Sequence, residues 1–138
     1  MADYAIKEIE GIGETYAPKF QALGIKTVGD LLDQGKTPGG RKKLAEATGI
    51  SEKLILKWVN FSDLFRVKGI GPEYSELLEK AGVDTVKELK HRVPENLHAK
   101  LQEVNSATAQ PLVRALPSLK AVQSWIEAAK QIEPMVTY

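Results

Sequence analysis

Residues Ile9–Leu32 read IEGIGETYAPKFQALGIKTVGDLL, and residues Val67–Lys90 read VKGIGPEYSELLEKAGVDTVKELK. The two stretches align without a gap at an offset of 58 residues. Eight of the 24 positions are identical: Gly11/Gly69, Ile12/Ile70, Gly13/Gly71, Tyr16/Tyr74, Gly24/Gly82, Thr27/Thr85, Val28/Val86 and Leu31/Leu89. Further on, Trp58-Val59 matches Trp125-Ile126 at an offset of 67, so the second copy is longer by about nine residues, placed around Asn105–Pro117. Self-similarity of this kind marks a copied supersecondary unit. The chain therefore divides into residues 1–65 and 66–138. No Gly/Pro/Ser-rich linker separates the halves, so they are expected to pack as one compact unit.

Each copy reads as short helices joined by tight turns. No stretch alternates apolar and polar residues with a period of two, which argues against strands. The expected fold is all-α. Gly11 and Gly69 suit the left-handed position that closes a helix, and Gly24 and Gly82 suit the next such position. Helices are expected at about 14–23 and 72–81, with Pro72 in a first turn, where a missing N–H costs little. Pro18 conflicts with this reading, because a proline inside a helix costs about 3 kcal/mol or bends it. Thr27 with Asp30 and Thr85 with Glu88 have the form of capping boxes. Thr37-Pro38 opens a helix that Gly49 stops. Ser51 caps a segment bearing Leu54, Ile55, Trp58 and Val59, which joins the copies or breaks near Asn60–Ser62. Pro94 starts a helix to about Val104. Ser118 caps the last one, with Leu119, Val122, Ile126 and Ala129 on one face. The tail after Glu133 is expected to fray. The copies are expected to meet through their tryptophan faces.

Composition bounds the function. The chain has 138 residues, 43% of them hydrophobic and 27% charged, with a formal net charge of +1 and no cysteine. That is the make-up of a globular protein able to bury one core. It leaves no disulfide framework and no thiolate nucleophile or metal ligand. The opening residues alternate charged and apolar groups, so no signal or transit peptide is expected, and no apolar run reaches the ~20 residues of a membrane span. A cytoplasmic protein without membrane contact is the expectation. Near-neutral net charge supplies no overall basic footprint for nucleic acid.

The pattern apolar-x-Gly-Ile-Gly-x-x-Tyr followed by Gly-[Ile/Val]-x-Thr-Val resembles the helix-hairpin-helix motif. In its extended form it resembles the C-terminal domain of the bacterial RNA polymerase alpha subunit and the N-terminal domain of archaeal and eukaryotic RecA-like recombinases. Across nearly the whole chain it is similar to an uncharacterised bacterial family of tandem helix-hairpin-helix proteins, a domain of unknown function. The resemblance implies a duplicated helix-hairpin-helix bundle in a pseudo-two-fold arrangement. It also implies hairpins that meet a nucleic-acid backbone without reading sequence. Carried over by position, the contacts are Gly11, Ile12, Gly13, Gly69, Ile70 and Gly71. Arg66 and Lys68 stand beside the second hairpin, and Lys7 and Lys19 flank the first. Bare glycine backbone lets a phosphate approach, and amides at a helix N-terminus attract it. Such contacts position a protein on DNA and do not specify bases.

Charge cuts against this at the first hairpin, where Glu8, Glu10 and Glu14 surround the proposed phosphate position and repel an anion. The arginine central to DNA contact in the polymerase domain is replaced here by Thr15 and Glu73. Arg41-Lys42-Lys43 is the compact basic run of the chain and the best electrostatic candidate for a phosphate or an acidic partner. Tyr16, Tyr74, Trp58 and Trp125 read as packing residues. His91 and His98, with Glu88 and Glu95, do not share a helix face because Pro94 intervenes, so no metal site is expected, nor any cofactor. No catalytic constellation is legible, and no enzyme activity is expected. Two functions remain: a non-catalytic module that binds DNA weakly and non-specifically, and a protein-interaction module or scaffold.

Overall fold

Local signals in the sequence fix most helix ends. The computed structural model describes residues 4–107 and 109–138, and among them the regular elements are helical. A 3-10 turn, η1 (Ile6–Glu8), precedes α1 (Gly13–Gln21), α2 (Val28–Gly35), α3 (Pro38–Thr48) and α4 (Glu52–Leu64) of the first copy. The second copy supplies α5 (Pro72–Lys80), α6 (Val86–Leu89), α7 (Pro94–Ser106) and α8 (Leu119–Lys130). One isolated antiparallel bridge, Ala5 with Thr27, fastens the N-terminal segment beside α2. No helix among the described residues is long and apolar enough to cross a membrane.

The caps act as their residue types require. The hydroxyls of Thr27, Thr37, Ser51, Thr85 and Ser118 each accept an amide of the helix that they open. Thr27 and Asp30 complete a reciprocal box, with the Thr27 amide 3.2 Å from Asp30 Oδ2. In the second copy Glu88 turns instead to Arg92, at 3.1 Å, and the box is half made. Gly49 stops α3 in the left-handed conformation at φ 75°. Pro18 is tolerated inside α1. Its ring is exposed, so water can serve the carbonyl that its missing N–H leaves without a partner. Helix α4 runs unbroken through Asn60–Ser62. The extra length of the second copy forms the irregular link from α7 to α8, in which Thr108 lies outside the described residues. Asn105 pins that link with a bond from the Val113 amide of 3.1 Å.

The centre of each copy is a tryptophan packed beneath its glycine turn. Trp58 of α4 lies 5.2 Å from Tyr16 and 5.9 Å from Phe20, centroid to centroid. Trp125 of α8 lies 5.2 Å from Tyr74. The interplanar angles of the two Tyr–Trp pairs are 53° and 52°, so the copies repeat this packing closely. A Cβ on Gly11 would stand 3.3 Å from Trp58 Nε1, and one on Gly69 would stand 2.8 Å from Trp125 Nε1. Both glycines also hold positive φ, 95° and 96°. The tryptophans thus anchor their own copies, where sequence pattern had suggested a contact between copies.

The copies are joined elsewhere. Tyr4 packs on Phe65 with ring centroids 5.4 Å apart. Asp63, buried near the end of α4, accepts the Val86 amide at 2.9 Å and so caps α6 across the boundary. The segment after Glu133 does not fray as expected. The Thr137 amide donates to Lys36 O at 2.8 Å, and the Tyr138 hydroxyl donates to Asn60 Oδ1 at 3.2 Å. Residues 133–138 of the second copy therefore lie across the first.

Two sets of measurements test this packing and capping. Gly69→Ala must both displace Trp125 and hold an alanine at positive φ, and is expected to cost about 2–3 kcal/mol. Gly24→Ala, with open space around its Cβ position and φ 82°, meets the backbone strain alone and is expected to cost about 1 kcal/mol. Urea unfolding followed by tryptophan fluorescence measures both. The Asp30 carboxyl is held below its ordinary value, chiefly by the Lys26 amide bond, with partial burial opposing and the Thr27 amide and hydroxyl assisting. A depressed carboxyl stabilises the fold above its unfolded pKa and ceases to as pH falls through its folded pKa. The stability difference between the wild type and Asp30→Asn is thus expected to be largest near neutral pH and to vanish in acid, measured by urea midpoints across that range.

Candidate nucleic-acid interface

Each Gly-Ile-Gly turn has the same construction. Its isoleucine turns inward and its first glycine turns outward. Ile12 and Ile70 are 1% and 2% exposed, which removes their side chains from the set of contacts expected from sequence. Their amides are used as well, Ile12 N–H by Ile9 O and Ile70 N–H by Val67 O, each at 3.1 Å. Gly11, Gly13 and Gly69 are exposed, and Gly71 is partly so. The bare backbone of both turns is therefore open to a ligand.

The turns differ in the helices that they open. Helix α1 starts with Gly13, Glu14 and Thr15, whose amides have no intrahelical acceptor, and the Ile12 side chain supplies no cap. Helix α5 starts with Pro72, which has no amide hydrogen, and Tyr74 N–H is taken by Gly71 O at 3.1 Å. The first turn is richer in backbone donors. Exposed Glu8, Glu10 and Glu14 nonetheless crowd it, with Lys7 as the nearby cation. A groove of about 530 Å³ lies along it, lined by Lys7, Glu8, Glu10, Gly11, Gly13 and Tyr16 among others. A groove of about 460 Å³ lies along the second turn, lined by Tyr4, Phe65, Arg66, Lys68 and Gly69 among others. Tyr4, which lines the second groove, and Lys7, which lines the first, are three residues apart in the chain.

The cations assigned from sequence divide sharply. Lys68, Lys42 and Lys43 are exposed. Arg66 is not a free cation beside the second turn. Its Nη1 donates to Asp63 Oδ1 at 2.7 Å, its Nη2 donates to Glu133 O, and its side chain is 11% exposed. Arg41 heads the basic run in sequence but is buried in the structure. Its Nη1 donates to Gly35 O at 2.8 Å and its Nη2 to Thr137 O at 2.6 Å, with the guanidinium 5.8 Å from the Tyr138 ring centroid. Burial draws its pKa down, and Tyr138 and Glu52 partly offset that. Lys19 turns away from the first turn, with its Nζ 3.4 Å from Thr48 O at the end of α3.

Both corrections have one physical cause. An arginine fork can satisfy two backbone carbonyls, or one carboxylate and one carbonyl, in the interior. For Arg41 nothing local in the sequence marks this, whereas Asp63, three residues before Arg66, was a local signal for that ion pair. Asp63 was likewise not singled out by sequence reasoning; its partners, Val86 and Arg66, lie on the other side of the boundary between copies. His98 Nε2 lies 3.0 Å from Pro117 O, and the exposed His91 does not join it, so the two histidines serve separate places. Among the described residues no group of three or more Asp, Glu or His is placed to hold a metal ion.

Both Gly-Ile-Gly turns fall within residues 10–132, which match a family model described as Domain of unknown function (DUF4332). The chain belongs to that family. No curated protein and no solved structure matches the chain significantly.

The division of cations is measurable. Arg66→Ala leaves Asp63 buried without its cation and is expected to cost roughly 2–3 kcal/mol. Arg41→Ala is expected to lower stability as well and to release residues 133–138 to protease. Lys42→Ala, Lys43→Ala and Lys68→Ala are expected to stay within about 0.5 kcal/mol of wild type. Thermal melts with limited proteolysis report both effects.

Proposed function

We propose that this chain is a non-catalytic module that binds nucleic-acid backbones, DNA foremost, weakly and without reading sequence. The observation that carries the reading is the pair of like-built turns, each presenting exposed glycine backbone above a tryptophan, with Lys68 at the lip of the second. Likeness to tandem helix-hairpin-helix proteins supports the same reading. Phosphate contacts of this kind hold a duplex or junction in place and leave base edges unread.

The loss of Arg41 and Arg66 to internal bonds leaves few free cations near the turns. The expected affinity is that of a feeble non-specific binder, in the range of about 10⁻⁴–10⁻⁶ M, with a salt slope of roughly −1 to −2. Fluorescence anisotropy at low salt with duplex, single-stranded and junction DNA tests this. Binding that weakens several-fold in Lys68→Glu, with the salt slope reduced by about one, is the expected result. No binding at tens of micromolar protein overturns the reading, as does binding indifferent to Lys68→Glu.

A second reading is favoured by one observation, the exposed Glu8, Glu10 and Glu14 at the first turn. A carboxylate-rich lip suits a basic protein surface, and a scaffold role would use it. Pull-down from nuclease-treated lysate separates the two: a partner lost with nuclease supports nucleic acid, and a partner retained supports protein.

A further inference from the structure

The second turn is poor in donors. Pro72 lacks an amide hydrogen, the Ile70 and Tyr74 amides are satisfied internally, and Arg66 is held by Asp63 and Glu133. Tyr4, far away in sequence and outside the repeated stretch, is brought to this place. Its backbone carbonyl accepts the Val28 amide at 2.9 Å, and its ring meets Phe65 edge-on with an interplanar angle of 63°. Its hydroxyl lies 3.0 Å from where a Cβ on Gly71 would stand. Tyr4 also lines the groove that Lys68 and Gly69 share. Among the described residues that hydroxyl has no hydrogen-bond partner. The position matched to Tyr4 by the 58-residue offset is Ser62, which is buried and donates to Trp58 O at 3.0 Å, so the first turn has no equivalent.

We infer that Tyr4 is a ligand-binding residue of the second turn, whose hydroxyl donates to a backbone phosphate oxygen that Lys68 attracts. The inference rests on the nucleic-acid reading above and adds a contact that the repeated motif does not contain. The phenol is suited to it. Its ring and backbone are fixed before binding, so little side-chain freedom is lost when the hydroxyl is used. A neutral donor to a charged phosphate adds affinity without adding a released counterion. Lys68 supplies charge, and Tyr4 supplies direction. A side chain at position 71 would crowd the hydroxyl.

Tyr4→Phe removes the hydroxyl and keeps the ring on Phe65. Anisotropy with a labelled duplex at low salt is expected to show affinity weakened about three- to tenfold, with an unchanged melting temperature and an unchanged salt slope. Lys68→Ala in parallel is expected to reduce the slope by about one. Wild type that binds while Tyr4→Phe binds equally well overturns the inference and leaves the nucleic-acid reading standing. A fall in melting temperature that accounts for the lost affinity also overturns it, because the hydroxyl is then structural. Wild type that binds no DNA overturns the reading itself, and this contact with it.

Discussion

Everything in this molecule is arranged around an indole seated under a glycine. A turn that passes directly above a large ring leaves little room for a side chain at Gly11 and none at Gly69, and the φ of 95–96° at both would strain any residue but glycine. The indole in turn holds the tyrosine that starts one helical turn later, and the isoleucine between the glycines closes the core. Three packing partners therefore determine where the exposed backbone of each turn points. The surface offered to a ligand is a by-product of a tightly specified interior, which is how a site with few side chains can be well placed.

Most of the fold was legible because its instructions are local. Thr27, Thr37, Ser51, Thr85 and Ser118 mark helix starts within three residues of the amides they accept, and Gly49 marks a stop in the same way. The duplication made each mark count twice. The failures share the opposite property. Arg41 reaches residue 137, Arg66 reaches residue 133 and Tyr138 reaches Asn60, across separations of 96, 67 and 78 residues. Periodicity and capping signals say nothing about such pairs. The misjudged tail and the misjudged basic residues are thus linked, since each arginine has one carbonyl partner in that segment.

The candidate site was legible in its backbone and illegible in its charges. Glycine positions follow from local geometry, and Gly11, Gly13 and Gly69 are exposed, with Gly71 partly so. Whether a cation is available depends on what else the interior needs, and here the interior claims both arginines and leaves lysines outside. That choice is chemically sensible. A guanidinium keeps its charge while donating several bonds in a fixed fork, whereas an ammonium is strongly hydrated and better left in water. Duplication preserved the mechanical frame in both copies and let the electrostatics diverge, acidic around Gly11–Gly13 and milder around Gly69–Gly71.

The strap formed by residues 133–138 bears on the order in which the protein is made. Arg41 is synthesised well before one of its two carbonyl partners, Thr137, which lies 96 residues further along the chain. The first copy emerges with a guanidinium that cannot yet be fully satisfied. Its native packing is completed only when the second copy has formed and brought residues 133–138 back across it. Contacts of such long sequence separation delay commitment and bind the halves into one cooperative transition. The two repeats are in this sense one folding unit, because the first depends on a segment of the second for its native bonds.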